Sequence, residues 1–264
     1  MKYNIVDVNI PQEKRKEIND KILHIIDSKI NSNITKNDIF LSYTGQGGLH
    51  GLDYKDYDNY HEFSNAKKEI EMGAFFTPHK IAKMMVDCIK PTQTDLIADL
   101  TCGMGNFFNY LPVEQNIYGC ELDIKAYKVA KYLYPDANIE CQDIRQYNPN
   151  IKFDIIFGNP PFNLKWEINR DEYLSQLYYC IKASELLKPA GILILITPDS
   201  FLKDDFMDNG MIKIIDGLFN FVGQFDLKPD SFKSVGVVSF QTKILIFQRK
   251  SEHLKNKPYK GSST

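Results

Sequence analysis

The run Gly191–Pro198, GILILITP, constrains the fold more than any other stretch of the chain. It is continuously apolar and lacks the alternation of a strand with one wet face. Such runs belong to parallel strands covered by helices on both sides. The residues from 70 onward carry the matching pattern. Helix IAKMMVDCIK leads to strand DLIADL and a glycine loop; strand NIYGCELD precedes helix IKAYKVAKYLY; strands NIECQD and FDIIFG follow. Helix EYLSQLYYCIKASELLK then leads into GILILITP, and FNFVGQFDL and QTKILIFQR read as an antiparallel pair at a sheet edge. Repeated β-α units of this kind predict an α/β fold with a doubly wound, mostly parallel sheet. Ligands of such sheets bind outside the carboxyl ends of the strands. There is no internal repeat.

Ahead of this region, PQEKRKEINDKILHIIDSKI places Ile18, Ile22, Leu23, Ile26 and Ile30 at helical spacing behind Pro11. It predicts an amphipathic helix. The stretch YTGQGGLHGLDYKDYDNYHEF, rich in Gly, Asp and Tyr, reads as a surface loop. The expected organisation is an N-terminal helical and loop extension over 1–69, a main domain over 70–250 and a lysine-rich tail over 251–264. With 264 residues, 43% hydrophobic and 25% charged, the chain has ordinary globular composition. No apolar run approaches the roughly 18 residues of a membrane span, and the N-terminus lacks a secretory pattern. Cys88, Cys102, Cys120, Cys141 and Cys180 are scattered without a C-x-x-C pair, which fits a reduced cytoplasm. His24, His50, His61, His79 and His253 show no metal-ligand spacing, so no metal is expected.

The segment Asp99-Leu100-Thr101-Cys102-Gly103-Met104-Gly105-Asn106-Phe107 follows an apolar strand. Gly103 and Gly105 allow a tight turn and close approach of a ligand. Glu121 ends the next strand about 20 residues on, where a carboxylate can accept both hydroxyls of a ribose. Asp143 ends the third strand, in reach of an adenine amine. Taken singly, each of these acids is better read as capping a helix or solvating a strand end; three at successive strand ends point to a cofactor site. A dinucleotide needs a third glycine to bring a helix N-terminus to its pyrophosphate, and G-M-G-N-F lacks it. S-adenosylmethionine has no phosphate and carries a positive sulfonium, so an acidic mouth suits it better.

Strand FDIIFG runs into Asn159-Pro160-Pro161-Phe162. Two prolines fix the backbone direction and remove two donors, leaving carbonyls to accept. The Asn159 side-chain oxygen and the Pro160 carbonyl can take the two hydrogens of an exocyclic amine, which concentrates the nitrogen lone pair. Phe162 offers a face for an unstacked base. N-P-P also makes a turn, but a turn alone does not explain its place directly after the fourth strand.

These residues resemble the amino-methyltransferases, and among them the N6-adenine DNA methyltransferases in which the cofactor motif precedes the catalytic one. The resemblance covers roughly residues 70 to 250. NPPF is similar to the family's catalytic motif, with Asn159, Pro160, Pro161 and Phe162 as its members, and DLTCGMGNF to its glycine-loop motif. The resemblance implies a seven-stranded Rossmann-like sheet with an antiparallel edge strand and S-adenosyl-L-methionine as cofactor. It assigns the cofactor to Phe76, Thr77, Pro78, Asp99, Thr101, Gly103, Gly105, Asn106, Phe107, Glu121, Leu122, Asp143, Ile144 and Asn159. Gly73-Ala74-Phe75-Phe76-Thr77-Pro78 resembles the family's aromatic-Thr-Pro element at the methionine end; read locally, Thr77 caps a helix with Pro78 in its first turn. Tyr43-Thr44-Gly45-Gln46-Gly47-Gly48 is similar to a segment of large phage and plasmid methylase-helicase proteins.

The activity implied is adenine-specific methylation of DNA at N6, as in restriction-modification, by base flipping and direct transfer. Family members usually carry a separate target-recognition domain, and none is evident in this sequence. The net charge of −2 is low for a self-sufficient duplex binder. DNA and a separate target-recognition subunit or domain are therefore the expected partners. Positive charge is local: Lys243, Arg249, Lys250, Lys255, Lys257 and Lys260 lie near the C-terminus. Trp166, Lys165 and Lys203 lie close after strands of the binding face and are candidates to touch the DNA backbone or the flipped base, with packing the favoured role for Trp166. Two alternatives share the motifs: methylation of RNA adenine or protein glutamine, and a catalytically idle cofactor-binding subunit.

Overall fold

The computed structural model describes residues 1–6, 8–29, 32–45, 54–64, 75–168, 170–203, 209–237 and 239–251. Its strands are β1 (Ile97–Asp99), β2 (Ile117–Glu121), β3 (Asn138–Cys141), β4 (Phe153–Gly158), β5 (Lys165–Ile168), β6 (Asp171–Leu174), β7 (Leu187–Pro198), β8 (Phe219–Asp226) and β9 (Thr242–Arg249). Seven of them form one sheet in the order β3-β2-β1-β4-β7-β9-β8, and β5 and β6 form a separate hairpin. β3, β2, β1, β4 and β7 are parallel. β9 lies antiparallel between β7 and β8, which is the predicted pair.

Alternation along each strand divides the core into two layers. Ile155, Phe157, Ile194 and Ile196 face one side with Ile97, Ile117 and Ile139. Ile156, Leu193 and Leu195 face the other with Ala98, Cys120 and Phe247. The helices divide in the same way. Residues of α1 (Gln12–Ser28), α2 (Lys36–Ser42), α3 (His79–Ile89) and α4 (Ile124–Leu133) join the first layer, and those of α5 (Ser175–Leu186) and α6 (Asn209–Leu218) the second. GILILITP thus lies covered on both faces, as its composition requires. Among the described residues no helix is long and apolar enough to cross a membrane.

Two local readings are corrected. The helix expected over EYLSQLYYCIKASELLK begins at Ser175, because Asp171–Leu174 pair instead with Lys165–Ile168, setting Trp166 opposite Tyr173. Thr77 does not cap α3: Pro78 occupies the cap position without a side-chain bond, while Thr77 is buried and its carbonyl takes the Asn106 amide. Within the helical and loop extension, the short helix α2 follows α1 as a separate element. A capping box starts it, with Thr35 Oγ1 accepting from the Asp38 amide at 3.1 Å and Asp38 Oδ2 from the Thr35 amide at 2.8 Å. Such caps contribute about 1 kcal/mol. Ile30, Gln46, Gly47, Gly48, Gly73, Ala74 and the tail beyond 251 lie outside the described residues.

Candidate active site

The strand order reverses between β1 and β4, so the chain leaves these two neighbours in opposite directions and opens a crevice. The glycine loop leaves β1 and the Asn-Pro-Pro-Phe loop leaves β4, both into this crevice. It holds a cavity of about 480 Å³, lined among others by Phe76, Thr101, Gly103, Glu121, Leu122, Asp143, Ile144 and Asn159. That volume falls within the roughly 300–1,000 Å³ of small-molecule sites.

The glycine loop is organised by the acids at the strand ends. Gly103 has φ +56°, and a Cβ there would stand 2.8 Å from the Phe76 ring. Glu121 accepts the Gly103 amide at 2.6 Å on one oxygen and the Asp123 amide at 2.7 Å on the other. Burial pushes its carboxyl above the usual range while these amides oppose the shift. Glu121 lines the cavity, and each oxygen has acceptor capacity beyond the one amide it takes, as a ribose acceptor requires. Asp99 is 3% exposed. Burial pushes its carboxyl up to about 7, against hydrogen bonds from the Thr101 amide and the Tyr179 hydroxyl.

Beside Asp99 a small chamber is lined by Phe75, Phe76, Thr77, Thr101, Asn106, Phe107 and Asn159. Two of its side-chain oxygens, Thr101 Oγ1 and Asn106 Oδ1, are buried with no hydrogen-bond partner. Buried acceptors without partners are costly, of order 1–3 kcal/mol each. With Asp99 they form an acceptor set suited to an ammonium group. A chamber for an amine, a carboxylate for a ribose and an apolar rim for a purine, in this sequence along one crevice, fit S-adenosylmethionine.

The Asn-Pro-Pro-Phe loop is held from outside. Asn159 Nδ2 donates to the Phe75 carbonyl at 3.0 Å, which fixes the amide plane and leaves Oδ1 as the free acceptor in the crevice. Ser175 Oγ donates to the Pro161 carbonyl at 2.5 Å. Gln176 Oε1 accepts the Asn163 amide at 3.0 Å, and Gln176 Nε2 donates to Asn163 Oδ1 at 2.7 Å. The first two residues of α5, both fully buried, thus clasp the loop. The Pro160 carbonyl remains without a donor among the described residues. Phe162 does not line the cavity; its ring stacks on Phe240 at 5.8 Å and 17°.

Tyr179 joins the two loops. Its hydroxyl accepts the Leu100 amide at 2.9 Å and lies 2.6 Å from the Phe157 carbonyl and 3.3 Å from Asp99 Oδ1. Gly158 makes room for the ring, since a Cβ there would stand 2.5 Å from it. On the other side, Phe76 lies between Gly45 and Gly103, and the Gly45 carbonyl accepts Asn19 Nδ2 of α1 at 2.6 Å.

Of the expected cofactor residues, all but two line the cavity or the chamber. Pro78 faces a separate hollow behind Phe76, and Gly105 (φ +84°) packs its backbone on Phe108 and Tyr134. Asp143 is already engaged: Arg145 Nε lies 2.9 and 3.0 Å from its two oxygens. That contact holds its carboxyl below the usual range. Phe75 of the aromatic-Thr-Pro element lines the cavity too, and so do Gln142, Arg145, Leu164 and Trp166, which are not among the expected cofactor residues. Only Arg145 carried a local signal, a cation two residues beyond the acid. Among the described residues no group of three or more His, Cys, Asp or Glu could hold a metal ion.

Comparison with known proteins agrees with this geometry. The chain is 21% identical over 264 residues to the Defense against restriction protein B of Escherichia phage P1, covering 95% of this chain and 11% of that protein. It is 24% identical over 191 residues to the Type II methyltransferase M.CvrRI of Paramecium bursaria Chlorella virus XZ-6E, covering 67% and 49%. The chain therefore spans at most about half the length of these curated relatives. A Listeria monocytogenes protein described as a class I S-adenosylmethionine-dependent methyltransferase shares the fold. Its TM-score is 0.60 at 15% identity, over 94% of this chain and 90% of that one. The EcoKI M protein, of a type I restriction enzyme, matches with TM-score 0.53 at 14% identity, over 95% and 65%. Residues 59–185 match the family model N-6 DNA Methylase. Residues 59–185 thus resemble an N-6 DNA methylase domain, and S-adenosylmethionine is the cofactor that this match and the shared fold support.

Proposed function

We propose that this protein methylates the exocyclic N6 amine of adenine in DNA. The observation that carries the reading is the orientation of Asn159. Its amide nitrogen is committed to the Phe75 carbonyl, so its oxygen is the acceptor offered to the crevice that Asp99 and Glu121 also serve. S-adenosylmethionine, when bound, supplies a methyl group on positively charged sulfur. The chain's own residues supply position. Asn159 Oδ1 and the Pro160 carbonyl take the two amine hydrogens and turn the nitrogen lone pair toward the glycine loop. No strong base is required, because positioning supplies much of the acceleration and the proton leaves to solvent after transfer.

The amine of a stacked adenine cannot reach this crevice, so the base leaves the duplex. Phe162 receives it, and the stack on Phe240 opens or shifts to admit it. The near-neutral charge and the M protein of a type I restriction enzyme among the structural neighbours support a separate subunit or domain that reads the DNA sequence.

The test is transfer of labelled methyl from S-adenosylmethionine to duplex DNA by the purified chain, with Asn159→Ala beside it. Label recovered as N6-methyladenine, and absent with the variant, is the expected result. Label on RNA or on protein glutamine, with duplex DNA unlabelled, would overturn the choice of acceptor. Cofactor binding with no transfer to any of the three would identify an idle cofactor-binding subunit.

A further inference from the structure

Trp166 is the single tryptophan of the chain, and it lies on the unexpected β5–β6 hairpin. It lines the same cavity as Glu121, Leu122, Asp143, Ile144, Arg145 and Leu164. The same lining takes in Thr101, Gly103, Asn159 and Pro161, whereas the chamber beside Asp99 does not include Trp166, and Phe162 lines neither.

The placement has a structural basis. β2 and β4 flank β1, so the residues after β2 and those beyond β4 approach the crevice from either side. From the β2 side comes Leu122, a leucine that is 69% exposed yet lines the cavity. From the β4 side come Leu164 and Trp166. A flat apolar ligand between them would cover surface that is otherwise wet. The indole is also held in advance: Tyr178 of α5 meets it edge-on at 5.8 Å and 75°, and Tyr173 pairs with it across the hairpin. An anchored aromatic loses little side-chain freedom when a ligand arrives.

We propose that Trp166 contacts the cofactor, its indole forming the outer wall of the nucleoside end of the cavity and packing against the purine. The hairpin is then part of the cofactor site and not a contact for DNA. The proposal rests on the cofactor assignment above and adds a residue to it that the sequence motifs do not contain.

Because no other tryptophan emits, its fluorescence reports on this wall alone. Binding of S-adenosylmethionine is first measured by equilibrium dialysis with labelled cofactor, which does not depend on Trp166. Tryptophan emission is then titrated with S-adenosylmethionine, with adenosine and with methionine. The expected result is a saturable change with the first two, at the dissociation constant found by dialysis for the cofactor, and no change with methionine. In dialysis, Trp166→Ala raises the dissociation constant about tenfold, and Trp166→Phe restores most of the affinity. Cofactor bound by dialysis with emission unmoved and affinity unchanged in Trp166→Ala would overturn the proposal and leave the cofactor assignment standing. No binding by dialysis to the wild-type chain would remove the assignment, and the proposal with it.

Discussion

The two loops that meet at the crevice are built on opposite plans. The loop after β1 is organised by neighbours along the same strand ends: Asp99 takes the Thr101 amide, and Glu121 takes those of Gly103 and Asp123. The loop after β4 makes no such local bonds. It is held by uncharged groups on other elements: the Phe75 carbonyl ahead of α3 and the Ser175 and Gln176 side chains at the start of α5. A loop that must present carboxylates to a ligand can use those same carboxylates to brace itself, because each oxygen has lone pairs for both tasks. A loop that must leave its acceptors free cannot, and its support has to come from elsewhere.

That contrast is open to attack, most severely at Asn159. Replacing it by Ala removes the acceptor but nothing that braces the first loop. Methyl transfer should fall on the order of a hundredfold or more, as when one donor of a preorganised polar site is lost. Cofactor affinity by dialysis should stay within about threefold; an equal loss of both would show that the loops do not divide the work. Gly103→Ala strikes the other loop. The new Cβ meets Phe76 at a left-handed backbone position, so cofactor affinity should drop about tenfold and stability by about 1–3 kcal/mol in a urea titration.

The third prediction separates the loops by pH. Burial raises Asp99 from 3.8 to about 7. An acid raised on folding favours the folded state most below its unfolded value, and that contribution is lost as pH rises from 3.8 to about 7. Stability of the free protein should therefore fall across this window, while affinity for the cofactor ammonium rises as the carboxylate forms. Asp99→Asn should flatten both curves, measured by thermal melts and dialysis. The smallest effect is expected from Ser175→Ala, which frees the Pro161 carbonyl. Stability should fall by about 1 kcal/mol, and turnover should fall with cofactor affinity unchanged.

The same contrast decides what was legible in the sequence. DLTCGMGNF and Glu121 could be read because glycines after an apolar strand and a carboxylate at the next strand end are chemical signals in themselves, although the Gly103–Glu121 bond spans 18 residues. FDIIFGNPPF could be read as far as its acceptors, but not its supports. Ser175 and Gln176 looked like interior positions of a longer helix. They are its first turn, because Trp166 and Tyr173 pair across a hairpin that takes the preceding residues. Four residues such as Asp171–Leu174 suit either state, and only the partner strand chooses. Tyr179 and Trp166 reach the crevice through tertiary packing, which no periodicity records.

The hydroxyl of Tyr179 has a consequence for motion. One phenol serves the amide of Leu100 and the carbonyl of Phe157, so the ends of β1 and β4 share a fastening and open as one cooperative unit. Restraint applied to either loop is felt by the other without any change of shape. Occupation of the cofactor crevice should therefore slow amide hydrogen exchange in β4 before any acceptor base arrives, which exchange measured with and without S-adenosylmethionine would check.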